Sequence, residues 1–161
     1  IKMNLKPVDL DVLRKEITAD EGCKYEIYLD HLGLPTCGIG HLIKESDEEH
    51  GKPVGTKVSE ERVKQLFDED IKVTLEECQD LFTTDVSAWE GLPEEAQLVL
   101  ANMMFNMGKP RLSKFVKLRK ALEDFDYGEA STQMKDSKWY TQVTNRADRL
   151  VKRMKALEVT E

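Results

Sequence analysis

The sequence predicts an α+β fold built mostly of helices, in which a small N-terminal lobe with a short antiparallel β-hairpin is joined by a long helix to a helical C-terminal lobe. Three observations predict it. Period-two alternation is convincing once, over Lys24–Leu29, with a glycine-rich turn close behind. A helical stripe runs from Val63 to Leu81. From Ala96 to Met107 nearly every residue is apolar, the pattern of a helix buried on all sides. The 161 residues suit a single domain. Its expected lobes are residues 14–62 around the hairpin, 59–82 as the connecting helix, and 83–161 with 1–13 as the helical lobe.

The first helix is expected over about Leu10 to Glu21. Asp9 is its N-cap, Leu10, Leu13 and Ile17 form its apolar stripe, and Gly22 supplies its stop. Tyr25, Ile27 and Leu29 then alternate with Lys24, Glu26 and Tyr28. Asp30-His31-Leu32-Gly33 reads as a turn, and a second strand follows near Thr36 to Ile39. Gly51, Pro53 and Gly55 break the chain. Ser59 caps the long helix, whose inner stripe is Val63, Leu66, Phe67, Asp70, Thr74, Cys78 and Leu81; Val58 is placed to staple onto Val63. Pro93 opens the apolar helix; Gly108 ends it, with Pro110 reinforcing the stop. Further helices are expected near Ser113–Asp124, Tyr127–Lys135 and Asn145–Leu157.

Composition narrows the function. Lys and Arg number 24 against 31 Asp and Glu, a net charge of −7, which argues against nucleic acid as the main partner. Three cysteines without a CxxC pattern point to reduced thiols, not to disulfides or a metal site. No run reaches the roughly 18 apolar residues of a membrane helix, so no stable membrane association is expected. The start lacks the apolar stretch of a signal peptide, and Ile1-Lys2 are expected to precede a natural start at Met3. A target outside the cytoplasm would then need another protein for delivery.

The chemistry lies in Asp20-Glu21-Gly22, Tyr28-Leu29-Asp30 and Thr36-Cys37-Gly38-Ile39-Gly40-His41. Two carboxylates flank a short strand, as glycoside hydrolysis requires. Glu21 continues an apolar stripe at a helix C-terminus, where a carboxyl is held protonated as a general acid; the alternative is an exposed glutamate before a helix-stop glycine. Asp30 closes a strand at a hydrated turn, as a general base or as a turn cap. Thr36, across the hairpin, either holds a water or is an ordinary strand residue. His41 reads as structural: Asp70 falls on the inner stripe of the long helix, a buried carboxylate needs a partner, and His41 is the candidate. Asn102 and Asn106 share a helix face and either bond internally or line a groove. Trp139-Tyr140 anchors core or stacks on a sugar. Arg146 reaches the Asp20-Glu21 corner if the last helix packs against the first.

These strings resemble the phage T4-type lysozymes of glycoside hydrolase family 24. The likeness extends through Leu66-Phe67-Asp68-Glu69-Asp70, Asn102-Met103-Met104-Phe105-Asn106-Met107-Gly108, Ser137-Lys138-Trp139-Tyr140 and Asn145-Arg146-Ala147-Asp148-Arg149. The resemblance implies the lysozyme-like fold and an endo-acting muramidase. It cuts the β-1,4 bond between N-acetylmuramic acid and N-acetylglucosamine in peptidoglycan, with inversion of configuration. It implies Glu21 as general acid, Asp30 as second carboxylate and Thr36 as the residue placing water. Leu42, Phe105, Leu118 and Gln133 fall at positions of the saccharide cleft, and Arg146 and Asn106 at supporting positions. No metal or organic cofactor is implied. The expected role is a monomeric endolysin that accumulates in the host cytoplasm and reaches the wall through a membrane pore made by another protein. The alternatives are a tail-associated lysozyme for phage entry and a non-catalytic peptidoglycan binder. Lys44–Lys57 differs from the family pattern in length and composition, and Asn106 is one methylene shorter than the family's glutamine.

Overall fold

The structure, a computed structural model, describes residues 8–158. The expected start at Met3 lies outside them. The chain forms two compact units, Arg14–Val73 and Thr74 onward together with the stretch up to Leu13.

Helix α1 spans Leu10–Glu21. Asp9 Oδ1 caps it, accepting from the N–H groups of Asp11 (3.0 Å) and Val12 (3.3 Å). Leu13 and Ile17 are fully buried, but Leu10 is exposed, so the stripe is narrower than its spacing suggests. Gly22, at φ +75°, takes the left-handed conformation that ends the helix and donates to the Thr18 carbonyl at 2.9 Å.

In the Arg14–Val73 unit a three-stranded antiparallel sheet follows, with β1 Lys24–Leu29, β2 Pro35–Gly38 and β3 His41–Leu42 in that order. A strand as short as β3 leaves no periodicity to read. The expected face of Tyr25, Ile27 and Leu29 does not hold together: Ile27 is buried, whereas Tyr25 and Leu29 are about half exposed. The cause is a register shift between Lys24 and Tyr28, which breaks the alternation. The outer edge of β1 is covered by Gly55–Val58. Ile27 donates to Thr56 (2.9 Å), Gly55 to Ile27 (2.8 Å) and Val58 to Tyr25 (3.0 Å). An open sheet edge is thereby closed.

Helix α2 runs Glu60–Phe82, capped by Ser59 Oγ, which accepts the Arg62 N–H at 3.1 Å. Its first turns carry Val63 and Leu66 into a core with Ile27, Cys37 and Val58, flanked by Ile39 and Ile43. The sheet lies so close that a Cβ on Gly38 would meet Val63 Cγ1 at 3.1 Å.

In the other unit Phe82 stacks on Trp89, which opens a short 3-10 turn, Trp89–Gly91. Helix α3, Glu94–Met107, is continuously buried from Ala96 to Met104. That burial includes Gln97, whose Nε2 donates to the carbonyls of Trp89 (3.2 Å) and Leu92 (3.0 Å). Gly108 ends α3, but Pro110 does not simply reinforce the stop: it sits in the first turn of a new short helix α4, Lys109–Leu112, where a missing N–H costs nothing. Helices α5 Val116–Glu123, α6 Tyr127–Lys135, α7 Lys138–Gln142 and α8 Thr144–Lys155 complete the unit, with α8 against α3 and α6. Helix α7 was not anticipated; Ser137 Oγ caps it by accepting the Tyr140 N–H at 3.2 Å. No helix among the described residues is long and apolar enough to cross a membrane.

Candidate active site

Strand register decides which side chains of the Arg14–Val73 unit share a face. Tyr28 lies opposite Thr36, and Thr36 opposite Leu42, so the three side chains project to one side of the sheet. Asp30 continues that face one step beyond β1. Its Oδ1 accepts the N–H groups of Leu32 (2.8 Å) and Leu34 (2.9 Å), which fixes the carboxyl at the turn. The turn-capping reading of Asp30 is therefore geometrically real, and it orients the group without consuming both oxygens in those two bonds. Thr36 is buried in mid-sheet and its hydroxyl donates to the Leu34 carbonyl at 2.9 Å, leaving lone pairs on that oxygen as acceptors. Leu42 is half exposed.

Glu21, at the last residue of α1, meets the same sheet from its other end. Gly40, in the turn between β2 and β3, lies against the Glu21 carboxyl, and a Cβ there would stand 2.6 Å from Oε1. The glycine is required twice, by this contact and by its φ of +61°. Tyr28 stands within the field of both carboxylates. Its phenol is raised above the usual value first by burial, then by the charges of Glu21, Cys37 and Asp30.

His41 is buried beneath this face. Its Nδ1 lies 2.7 Å from Asp70 Oδ2 and its Nε2 2.7 Å from Asp47 Oδ2. Both ring nitrogens facing carboxylates can be donors only in the imidazolium. Burial pulls its pKa down, but the bonds to Asp70 and Asp47 outweigh that and raise it above the ordinary value. Asp47 moves the other way. Burial pushes it up, yet the Lys44 N–H at 2.8 Å and His41 hold it below the usual range. Two residues further on, in the same loop, buried Glu49 is clamped by Arg62 through two bonds of 2.9 Å. That clamp, ahead of the opposing effect of burial, lowers the Glu49 pKa.

The remaining predicted residues belong to the other unit. Asn102 is fully buried and its Oδ1 accepts from Arg146 Nε at 2.8 Å. Asn106 Oδ1 accepts the indole N–H of buried Trp139 at 2.7 Å. Both amides are thus bonded internally, and Trp139 serves the core. Phe105 is half-buried. Leu118 and Gln133 meet at one cavity of about 380 Å³, together with Phe115, Ser137, Lys114 and Lys117. Leu118 is fully buried, so it shapes that cavity from beneath and its neighbours supply the exposed wall.

Three features escaped sequence reasoning. Asp47 and Glu49 sit in a run of acidic residues that reads as a solvated surface, and only their pairing with His41 and Arg62 sets them apart. The closeness of Gly40 to Glu21 depends on a turn whose geometry no spacing rule conveys. Among the described residues no group of His, Cys, Asp and Glu is arranged to hold a metal ion.

Residues 18–156 match the family model for phage lysozyme. The chain is 30% identical to the probable T4-type lysozyme 2 of Dictyostelium discoideum over 86% of its own length and 91% of that protein's. It is 29% identical to the pre-baseplate central spike protein Gp5 of Enterobacteria phage T4, covering 81% of the chain but 25% of the spike protein. It is 32% identical to the peptidoglycan hydrolase gp36 of Pseudomonas phage phiKMV, covering 88% of the chain and 15% of that protein. The match begins in the last turn of α1 and runs through the sheet, α2 and the helices to α8, which is most of the chain, and the chain belongs to the phage lysozyme family.

Proposed function

We propose that this protein hydrolyses peptidoglycan as an endo-acting muramidase, cutting the β-1,4 bond between N-acetylmuramic acid and N-acetylglucosamine. Glu21 gives its proton to the glycosidic oxygen as the bond to the anomeric carbon breaks. A water held by Thr36 adds to that carbon from the opposite face and loses its proton to Asp30, so that configuration inverts. The observation that supports this reading is the common sheet face of Asp30, Thr36 and Leu42, with Glu21 lodged against the Gly40 turn, in a chain of the phage lysozyme family. The test is turbidity loss of permeabilised Gram-negative walls by wild type, Glu21→Gln and Asp30→Asn. Each substitution is expected to slow clearing by about a hundredfold or more. Equal clearing by all three overturns the catalytic assignment and leaves a non-catalytic binder. Release of the β-anomer as first product overturns inversion.

In its biological setting the protein acts as a monomeric endolysin. It accumulates in the host cytoplasm and reaches the wall through a pore made by a separate membrane protein. Cells expressing it alone are expected to lyse only after the inner membrane is permeabilised, and spontaneous lysis overturns that dependence. A tail-associated role in entry is the second reading. It is favoured by two relatives in which the matching stretch is 25% and 15% of a longer protein. Its presence in purified virions, measured by mass spectrometry, decides for the tail.

A further inference from the structure

We infer that Asp47 is a positioning residue for Glu21: through His41 it fixes the turn between β2 and β3, against which the Glu21 carboxyl rests. The inference rests on the hydrolase reading and adds to it a residue that acts through another.

Glu45-Ser46-Asp47-Glu48-Glu49 is a polar run between β3 and α2. Its carboxylates do not share one environment. The Glu48 side chain is 67% exposed, whereas that of Asp47 is 10% exposed. Withdrawing a carboxylate from water is costly unless strong bonds offset the loss. Asp47 Oδ2 accepts the Lys44 N–H at 2.8 Å and faces His41 Nε2 at 2.7 Å. The Asp47 backbone closes the same turn, its N–H donating to the Lys44 carbonyl and its carbonyl accepting from His50, both at 3.0 Å. On its other side Arg62 Nη2 stands 3.9 Å from Asp47 Oδ1, and Arg62 is itself clamped to Glu49. Asp47 is therefore anchored to its own loop and to α2 before it meets the histidine.

His41 directly follows Gly40. Only Ile39 and Gly40 separate β2 from β3, and Gly38 and Gly40 both have φ of +61°. A turn so built has little stiffness of its own. A ring held at one nitrogen still pivots about that bond. His41 is held at both, by Asp70 from α2 and by Asp47 from the loop, at 2.7 Å each. Two bonds on opposite sides fix the plane of the ring and the backbone that carries it. One residue back, a Cβ on Gly40 would meet Glu21 Cδ at 2.9 Å, so the turn and the carboxyl have no slack between them. A turn displaced by about 1 Å would push the carboxyl aside or let it swing into the space vacated, and misplacement on that scale is enough to slow a reaction severely.

The experiment compares wild type, Asp47→Ala and Asp47→Asn by their rates on soluble, uncross-linked peptidoglycan chains and by the Glu21 Cδ resonance in carbon NMR. It is run well below each variant's melting temperature and below the ordinary pKa of histidine, where the ring carries both protons. Asp47→Ala removes the bond. Its kcat is expected to fall by about tenfold to a hundredfold with KM changed by less than about twofold, and its Glu21 resonance to move. Asp47→Asn keeps an oxygen toward the ring, because the Lys44 N–H orients the amide, and is expected to restore both kcat and the wild-type resonance. Loss of stability in Asp47→Ala with kcat and the resonance unchanged overturns the inference and leaves Asp47 a structural residue. A rise in KM alone also overturns it, in favour of a role in binding the glycan. If Asp47→Asn behaves as Asp47→Ala does, the charge and not the bond is at work, and the positioning role is again overturned. Failure of wild type to cleave the chains, with the Glu21 resonance still dependent on Asp47, removes the hydrolase reading and leaves the placement of Glu21 standing.

Discussion

Gly40 and Glu21 are packed so closely that a single methyl group cannot be placed between them: a Cβ on Gly40 would lie 2.6 Å from Glu21 Oε1 and 2.9 Å from Cδ. Gly40→Ala therefore has two effects, strain from φ +61° and displacement of the Glu21 carboxyl. Gly51→Ala isolates the first, because Gly51 has φ +80° with no heavy atom within 4 Å of its Cβ position. Both variants are expected to lose about 1–2 kcal/mol in urea unfolding, but only Gly40→Ala to lose wall clearing. Equal clearing by the two variants would show that Glu21 tolerates displacement.

The cluster of His41, Asp47 and Asp70 predicts a pH dependence of stability with a definite sign. His41 has a raised folded pKa, so its contribution is complete below the ordinary 6.5 and fades as pH rises through the folded value. Asp47 has a lowered one, so its contribution is complete above the ordinary 3.8 and fades as pH falls through the folded value. The cluster stabilises most between those two values. Asp70→Asn is expected to lower stability by about 1–3 kcal/mol near pH 5.5 and to flatten the decline on the alkaline side. Thermal melting from about pH 4 to about pH 9 checks both, and unaltered melting curves would remove the ion pair from the account.

Trp139→Phe keeps the ring in the core and deletes the N–H that serves Asn106 Oδ1. The expected cost is about 1–3 kcal/mol, most of it from the amide left without its donor. A double-mutant cycle with Asn106→Leu, read by urea unfolding, should show a coupling energy between the two positions, and strict additivity would contradict the bond.

The three thiols should separate cleanly in reactivity. Cys23 is exposed, whereas Cys37 and Cys78 are buried. Burial pushes the Cys37 thiol up to about 11, and burial raises Cys78 still further. A disulfide reagent at neutral pH is expected to titrate one thiol in the native protein and all three after unfolding.

Net charge governs the response to salt. A chain of −7 approaching a wall that bears peptide carboxylates gains nothing from long-range attraction. Wall clearing is expected to hold or rise as salt is added up to about 0.15 M, where the screening length is about 8 Å. A steep loss would mean that a local cationic surface dominates encounter.

The legible parts of the fold were those governed by local rules. Asp9, Gly22, Ser59 and Gly108 mark their helix ends by chemistry confined to one turn, and the structure keeps all four. Burial of α3 followed from its composition alone. What was not legible depended on partners distant in sequence. The split face of β1 comes from a register shift and from a pairing with Gly55–Val58 about thirty residues on. Pro110 shows the ambiguity of a residue that both stops one helix and opens the next. Within the site, the approach of His41 to Asp70 followed from the stripe of α2, but Asp47 as the second carboxylate did not, because nothing in an acidic run distinguishes the residue that turns inward.

A strand of two residues does little to secure its own persistence. β3 is held because His41, its first residue, is tied to Asp70 on α2 and to Asp47 in the following loop, and that loop is in turn fastened to α2 through Glu49 and Arg62. The face bearing Thr36 and Leu42 thus borrows its lifetime from a helix. Opening of that face is therefore expected to be coupled to unwinding of α2 between Arg62 and Asp70, with the site and that stretch of helix exchanging their amide protons as one cooperative unit.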